Sequence, residues 1–111
     1  MPAIKLDIEN AINRMGGKDL FLEIAHSFAA AIPLSVEELR AELNSGDIVK
    51  ARRLAHSLKS NCAAMGAEEV RLEAYEVEKA CANNDEESAR RAFAVFKTSI
   101  EELRQHLLAL R

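Results

Sequence analysis

Apolar side chains recur every three or four positions from residue 89 to residue 110. This spacing places them on one face of an α-helix, which is stable in water only when that face packs against other elements. The members of the stripe are Ala89, Ala92, Phe96, Ile100, Leu103, Leu107 and Leu110. The end of the chain therefore predicts a long helix in a helical bundle.

The rest of the chain is equally helical in character. Only four glycines and two prolines occur among 111 residues, and strong helix formers dominate. Breaks between periodic stretches predict helices over residues 7–15, 18–44, 48–65 and 67–81, and a last helix after residues 83–85. The connections are short, which favours antiparallel neighbours. We expect a single all-α domain over residues 1–111, an antiparallel up-down four-helix bundle with a short extra N-terminal helix.

Local signals mark the helix ends. Asp47 suits an N-cap, and Asn84 with Glu87 resembles a capping box. Pro33 lies inside the second helix and should kink or break it. The apolar stripe expected for the first half of that helix consists of Leu20, Phe21, Ile24, Phe28 and Ile32.

Composition excludes several classes of function. The net charge of −3 argues against general nucleic-acid binding. The two cysteines form no metal-ligand pattern. They could form one disulfide with each other, but the lack of a signal peptide favours reduced thiols. No stretch approaches the ~20 apolar residues of a membrane span. We expect a cytoplasmic, monomeric protein with no metal site and no contact with membranes.

His56 is the candidate functional residue. It is turned away from the expected core face of the third helix, and Lys59 and Ser60 share its surface. Arg52 and Arg53 lie one turn before it, and the small Ala63 lies two turns after it. Residues 48–67 contain four basic residues and no acidic one. Such a patch could stabilise a phosphorylated imidazole or steer an acidic partner, but an exposed histidine in a basic run is also typical of a plain solvated face.

A family resemblance adds a specific function. The segment Ala55-His56-Ser57-Leu58-Lys59, followed by Gly66-Ala67, resembles the signature of histidine-containing phosphotransfer (HPt) domains of bacterial multistep phosphorelays. The resemblance implies that His56 is phosphorylated and exchanges its phosphoryl group with receiver domains of hybrid histidine kinases and response regulators. It implies no kinase activity, no ATP site and no cofactor of its own, with Mg²⁺ supplied by the partner receiver.

The resemblance also assigns roles around His56. Lys59 would neutralise phosphoryl oxygens, and Glu78 would orient the imidazole from the fourth helix. Arg52, Arg53, Ala63 and Gly66 would lie near the site. Ser60 departs from the glycine that is common in the family at this position. We therefore expect effects on transfer rate or partner choice there.

One alternative remains open, and a second is disfavoured. The bundle could bind a receiver domain or another regulator without phosphorylation, and Ser60 favours this alternative. A metal- or cofactor-holding bundle would need inward Glu-x-x-His repeats, which the sequence lacks. The initial Met and the compact end at Arg111 lead us to expect a free-standing protein.

Overall fold

The computed structural model describes residues 4–111, which form five helices and no strand. The helices are α1 (Ile8–Met15), α2 (Lys18–Ser45), α3 (Ile48–Ala64), α4 (Glu68–Ala82) and α5 (Glu86–Ala109). The expected all-α fold is confirmed. Each predicted helix is present with its ends shifted by a few residues at most.

The four long helices form a closed ring of neighbours. Consecutive helices pack along their lengths, and α5 returns to pack on α2, while the short α1 lies against α2. Turns of only a few residues join the long helices, so consecutive helices run in opposite directions. The core lies along the central axis of this ring and is entirely apolar among the described residues.

The core side chains follow most positions of the predicted stripes, with departures on α5 and α2 and at Leu110, which is only partly buried. On α5, Phe93 is buried, whereas Ala92 at the edge of the stripe is only partly buried. On α2, Leu20 and Ile24 are 47% and 38% exposed, while their neighbour Phe21 is fully buried. Apolar spacing on a long helix marks a broad face, and only the packing partners decide which edge of that face is covered.

Of the two outcomes expected at Pro33, a kink or a break, the break does not occur, because α2 runs without interruption through the proline. Proline lacks an N–H, and the carbonyl of Ala29 therefore loses its usual intrahelical donor at a cost of ~3 kcal/mol. Buried Phe28 and Ile32 before the proline and Leu39 after it belong to the same core. Their combined burial, at about 1.5–3 kcal/mol for each side chain, outweighs the missing hydrogen bond.

The predicted capping box at Asn84 is also wrong. Asp85 is the N-cap of α5, and its carboxylate accepts a hydrogen bond from the backbone N–H of Ser88 at 3.1 Å. Asn84 instead adopts a left-handed backbone with φ of 55° and ends the turn after α4, a conformation that asparagine tolerates better than most residues. Asp47 caps α3 as predicted and accepts a hydrogen bond from the N–H of Lys50.

Helix α2 is long and apolar enough to cross a membrane, with a mean hydropathy of 1.3 over its best 18-residue window. The expectation that no stretch approaches this composition is therefore wrong. The signal is weak, because core helices of soluble proteins have the same length and composition. Here Phe21, Phe28 and Ile32 of α2 pack into the bundle core.

Candidate functional site

His56 projects from the outer surface of α3. Its neighbours Ala55 and Leu58 are buried and fix the orientation of the helix, so that the imidazole points away from the core. The side chain of His56 is 59% exposed. Its Nδ1 lies 2.6 Å from Oε2 of Glu78, which reaches across from α4.

The carboxylate of Glu78 contacts two side chains of α3. Its second oxygen, Oε1, lies 2.6 Å from Nζ of Lys59, and the side chains of Glu78 and Lys59 are only 13% and 22% exposed. Burial raises the pKa of Glu78, but the hydrogen bonds and charges of Lys59 and His56 outweigh this effect and hold the pKa below its usual 4.5. Glu78 is therefore an anion at neutral pH.

This geometry selects one tautomer of His56. A carboxylate can only accept a hydrogen bond, so a neutral imidazole must donate its Nδ1–H to Glu78. The lone pair then lies on Nε2, on the far side of the ring from Glu78. A neutral imidazole with its Nε2 lone pair on an exposed side chain is suited to nucleophilic attack.

Tyr75 is a further member of the site. The ammonium of Lys59 lies 5.4 Å from the centre of the Tyr75 ring, a cation–π contact. Lys59 is therefore held between an aromatic face and the Glu78 carboxylate. The spacing of three residues places Tyr75 and Glu78 on one face of α4, as the sequence indicates, but it does not predict the contact of Tyr75 with Lys59 of α3.

The basic residues of α3 divide into two groups. Lys50 forms an ion pair with Glu42 of α2 at 3.4 Å, and Lys59 pairs with Glu78. Arg52 and Arg53 are exposed and line a shallow depression together with Val49, His56, Ser57 and Glu78. Both arginines thus line the same depression as His56.

Three other predicted near-site residues lie toward the C-terminal half of α3. Ser60 is exposed on the outer surface, one turn beyond His56. The carbonyl of Ala63 accepts a hydrogen bond from Nη2 of Arg14 in α1 at 3.2 Å. Gly66 lies beyond the end of α3, where its carbonyl accepts a hydrogen bond from the N–H of Asp7 at 3.0 Å. A rise of about 1.5 Å per residue places Gly66 roughly 15 Å from His56, so its contacts are with the segment that leads into α1.

The remaining histidines and cysteines have structural surroundings. Nε2 of His26 lies 2.8 Å from the carbonyl oxygen of Leu110 and ties α2 to the end of α5, while His106 lies in the last turn of α5. Burial raises the pKa of the Cys62 thiol to about 12, so it is not a nucleophile at neutral pH. Within residues 4–111, no group of three or more His, Cys, Asp or Glu side chains could hold a metal ion.

The site thus consists of one exposed imidazole, held by a charged carboxylate on the surface of an all-helical domain. A family model of the Hpt domain matches residues 23–106, about three quarters of the chain, and the chain belongs to this family. Hpt domains are phosphotransfer carriers in two-component signalling, act as carriers and not as kinases, and are typically soluble. Searches of curated proteins and of solved structures found no significant match.

Proposed function

We propose that this protein carries a phosphoryl group on Nε2 of His56, accepting it from one receiver-domain aspartate and donating it to another. The observation that carries the proposal is the hydrogen bond of 2.6 Å between Nδ1 of His56 and the Glu78 carboxylate on an imidazole that is 59% exposed. It supplies a fixed tautomer and an accessible nucleophile at the same residue.

The proposed transfer is a single displacement at phosphorus. The Nε2 lone pair of His56 forms the N–P bond as the P–O bond to the receiver aspartate breaks, and the aspartate leaves as a carboxylate. The Nδ1–H stays on the ring, which becomes cationic, and the Glu78 carboxylate stabilises this charge. The reverse displacement passes the group to the next aspartate.

The partners follow from this chemistry. Receiver domains of hybrid histidine kinases and response regulators would supply the aspartate and the Mg²⁺ ion, and the carrier would need no ATP site or cofactor. We propose a cytoplasmic monomer that binds neither nucleic acid nor membranes. The family membership supports the receiver-domain partners in general terms.

The test is phosphoryl transfer from a receiver domain labelled with ³²P on its aspartate. We expect the parent protein to take up label, and the His56→Gln variant to take up none. His106→Gln is the matched control, because it makes the same substitution on α5 and should transfer like the parent. Uptake by His56→Gln equal to that of the parent would show that another residue carries the group.

The same experiment separates the carrier from a non-catalytic binding module. A binding module would retain its affinity for a receiver domain in a His56→Ala variant and would take up no label from any donor. Titration of parent and variant with an unphosphorylated receiver, measured beside the transfer assay, distinguishes the two functions.

A further inference from the structure

We propose that Arg52 and Arg53 bind the phosphoryl oxygens of phosphorylated His56, whereas Lys59 holds the Glu78 carboxylate in position. This inference rests on the proposed function, because it concerns the phosphorylated state of the same histidine. It assigns the positive charge that neutralises the phosphoryl group to the two arginines one turn before His56, and not to Lys59, three residues after it.

Lys59 is already engaged in the unphosphorylated protein. Its ammonium lies 2.6 Å from Oε1 of Glu78 and 5.4 Å from the centre of the Tyr75 ring. Release of Lys59 toward a phosphoryl group would leave Oε1 of a partly buried carboxylate without its cation. Removing one partner from such a pair is costly, since the remaining charge is poorly solvated.

Arg52 and Arg53, in contrast, have no ion-pair partner within residues 4–111. Four of the five arginines on the other long helices pair with glutamates three or four residues away, Arg90 being the exception; these pairs are Arg40–Glu37, Arg71–Glu68, Arg91–Glu87 and Arg104–Glu101. Helix α3 contains no acidic residue, so its arginines have no such neighbour. Two unpaired guanidinium groups beside one imidazole can donate to an oxyanion with several acceptor oxygens.

The direction of the side chains supports the same assignment. Side chains of an α-helix lean toward its N-terminus, so the imidazole of His56 leans over the turn that contains Arg52 and Arg53. The depression beside His56 is lined by both arginines, Val49, Ser57 and Glu78, and Lys59 is not part of it. A phosphoryl group on Nε2, which faces away from Glu78, would therefore lie within reach of the arginines.

The test uses phosphoramidate as a small phosphoryl donor, with no receiver domain present. We expect the Arg52→Ala/Arg53→Ala double variant to be phosphorylated on His56 about fivefold more slowly than the parent, a reduction that reflects the exposed setting of these charge-assisted contacts. Arg90→Ala is the matched control, since Arg90 is an exposed arginine on α5 without an ion-pair partner among the described residues. It should react like the parent.

As a structural readout, the side-chain Nε–H signals of Arg52 and Arg53 should shift in the NMR spectrum upon phosphorylation, and that of Arg90 should not.

Three results would contradict or separate the proposals. Equal phosphoramidate rates with unshifted arginine signals would overturn the role of the arginines. The role of the arginines would also be overturned if the double variant were slower only in transfer from a receiver domain and not with phosphoramidate. The arginines would then be contacting an acidic surface of the partner. If neither phosphoramidate nor a receiver domain phosphorylates His56 of the parent protein, the proposed function itself is wrong. That result differs from one in which only the role of the arginines is wrong.

Discussion

At the scale of single residues, the chemistry of the site depends on how one carboxylate is shared. Glu78 accepts the Nδ1–H of His56 with one oxygen and pairs with Lys59 through the other. The first contact fixes the imidazole tautomer, and the second keeps the carboxylate charged and in place. Under the proposed function, Glu78 and Lys59 would act on phosphoryl transfer through His56, as positioning residues.

Substitution of Glu78 should slow transfer without preventing it. We expect Glu78→Ala to lower the rate of phosphoryl uptake about tenfold, because it removes a charge-assisted hydrogen bond of about 1.5 kcal/mol from the imidazole. Glu78→Gln keeps an acceptor oxygen and should lose less. Glu76→Gln, at an exposed position on the same helix, is the control. The measurement is uptake from a phosphorylated receiver, together with ¹⁵N shifts that report the tautomer of His56. An unchanged tautomer and rate in Glu78→Ala would contradict this role.

At the scale of helices, the connection between α3 and α4 sets the register of the site. His56 and Glu78 lie at equal sequence distances before and after Ala67, and Lys59 and Tyr75 do so as well. Antiparallel helices bring such residues to the same level. Gly66 in this connection has φ of +73°, and a Cβ there would lie 2.5 Å from the carbonyl oxygen of Asp7. The glycine of the family signature therefore serves the fold in this protein.

Gly66→Ala should lower the free energy of unfolding more than Gly46→Ala, the same substitution at the end of α2. Gly46 also has a left-handed backbone, with φ of +84°, but a Cβ there would meet only Oε1 of Glu86 at 3.5 Å. We expect Gly46→Ala to cost about 1 kcal/mol from backbone strain, and Gly66→Ala to cost about 2 kcal/mol more from overlap with the backbone before α1. Urea unfolding measures both variants, and equal losses would contradict the steric argument.

At the scale of the whole molecule, the ring of four helices brings the site together. Core packing of α3 against α4 places Glu78 at an interface where it is partly buried yet still reaches His56 at the surface. The stability of the fold and the protonation of this carboxylate are therefore linked.

The linkage predicts how acid affects stability. Because the pKa of Glu78 is held below 4.5 in the folded protein, its ionised form stabilises the fold above that pH, and this contribution is lost as the pH falls through the folded pKa. The difference in free energy of unfolding between the parent and Glu78→Gln should be largest above pH 4.5 and should shrink below it. Urea titrations from pH 7 to pH 3, an interval that spans the reference pKa of glutamate, test this. A difference that does not vary with pH would contradict it.

The sequence by itself determined the helices, most of the core faces and the exposure of His56. These features depend on interactions within a few residues, such as apolar spacing, the cap at Asp47 and the left-handed glycine at position 46. Family resemblance pointed to Lys59 and Glu78, and the structure shows the Glu78 carboxylate in contact with both His56 and Lys59.

Only the tertiary structure decided how those side chains are paired. Three features depend on partners that are far away in the chain. Lys59 lies between Glu78 and Tyr75, the backbone of Gly66 lies against that of Asp7, and Leu20 remains exposed. Periodicity gives the direction in which a side chain leaves its own helix, but not which side chain it meets. Packing of α4 against α3, and of the leading segment against the end of α3, makes that choice, because contacts between helices depend on their register and distance.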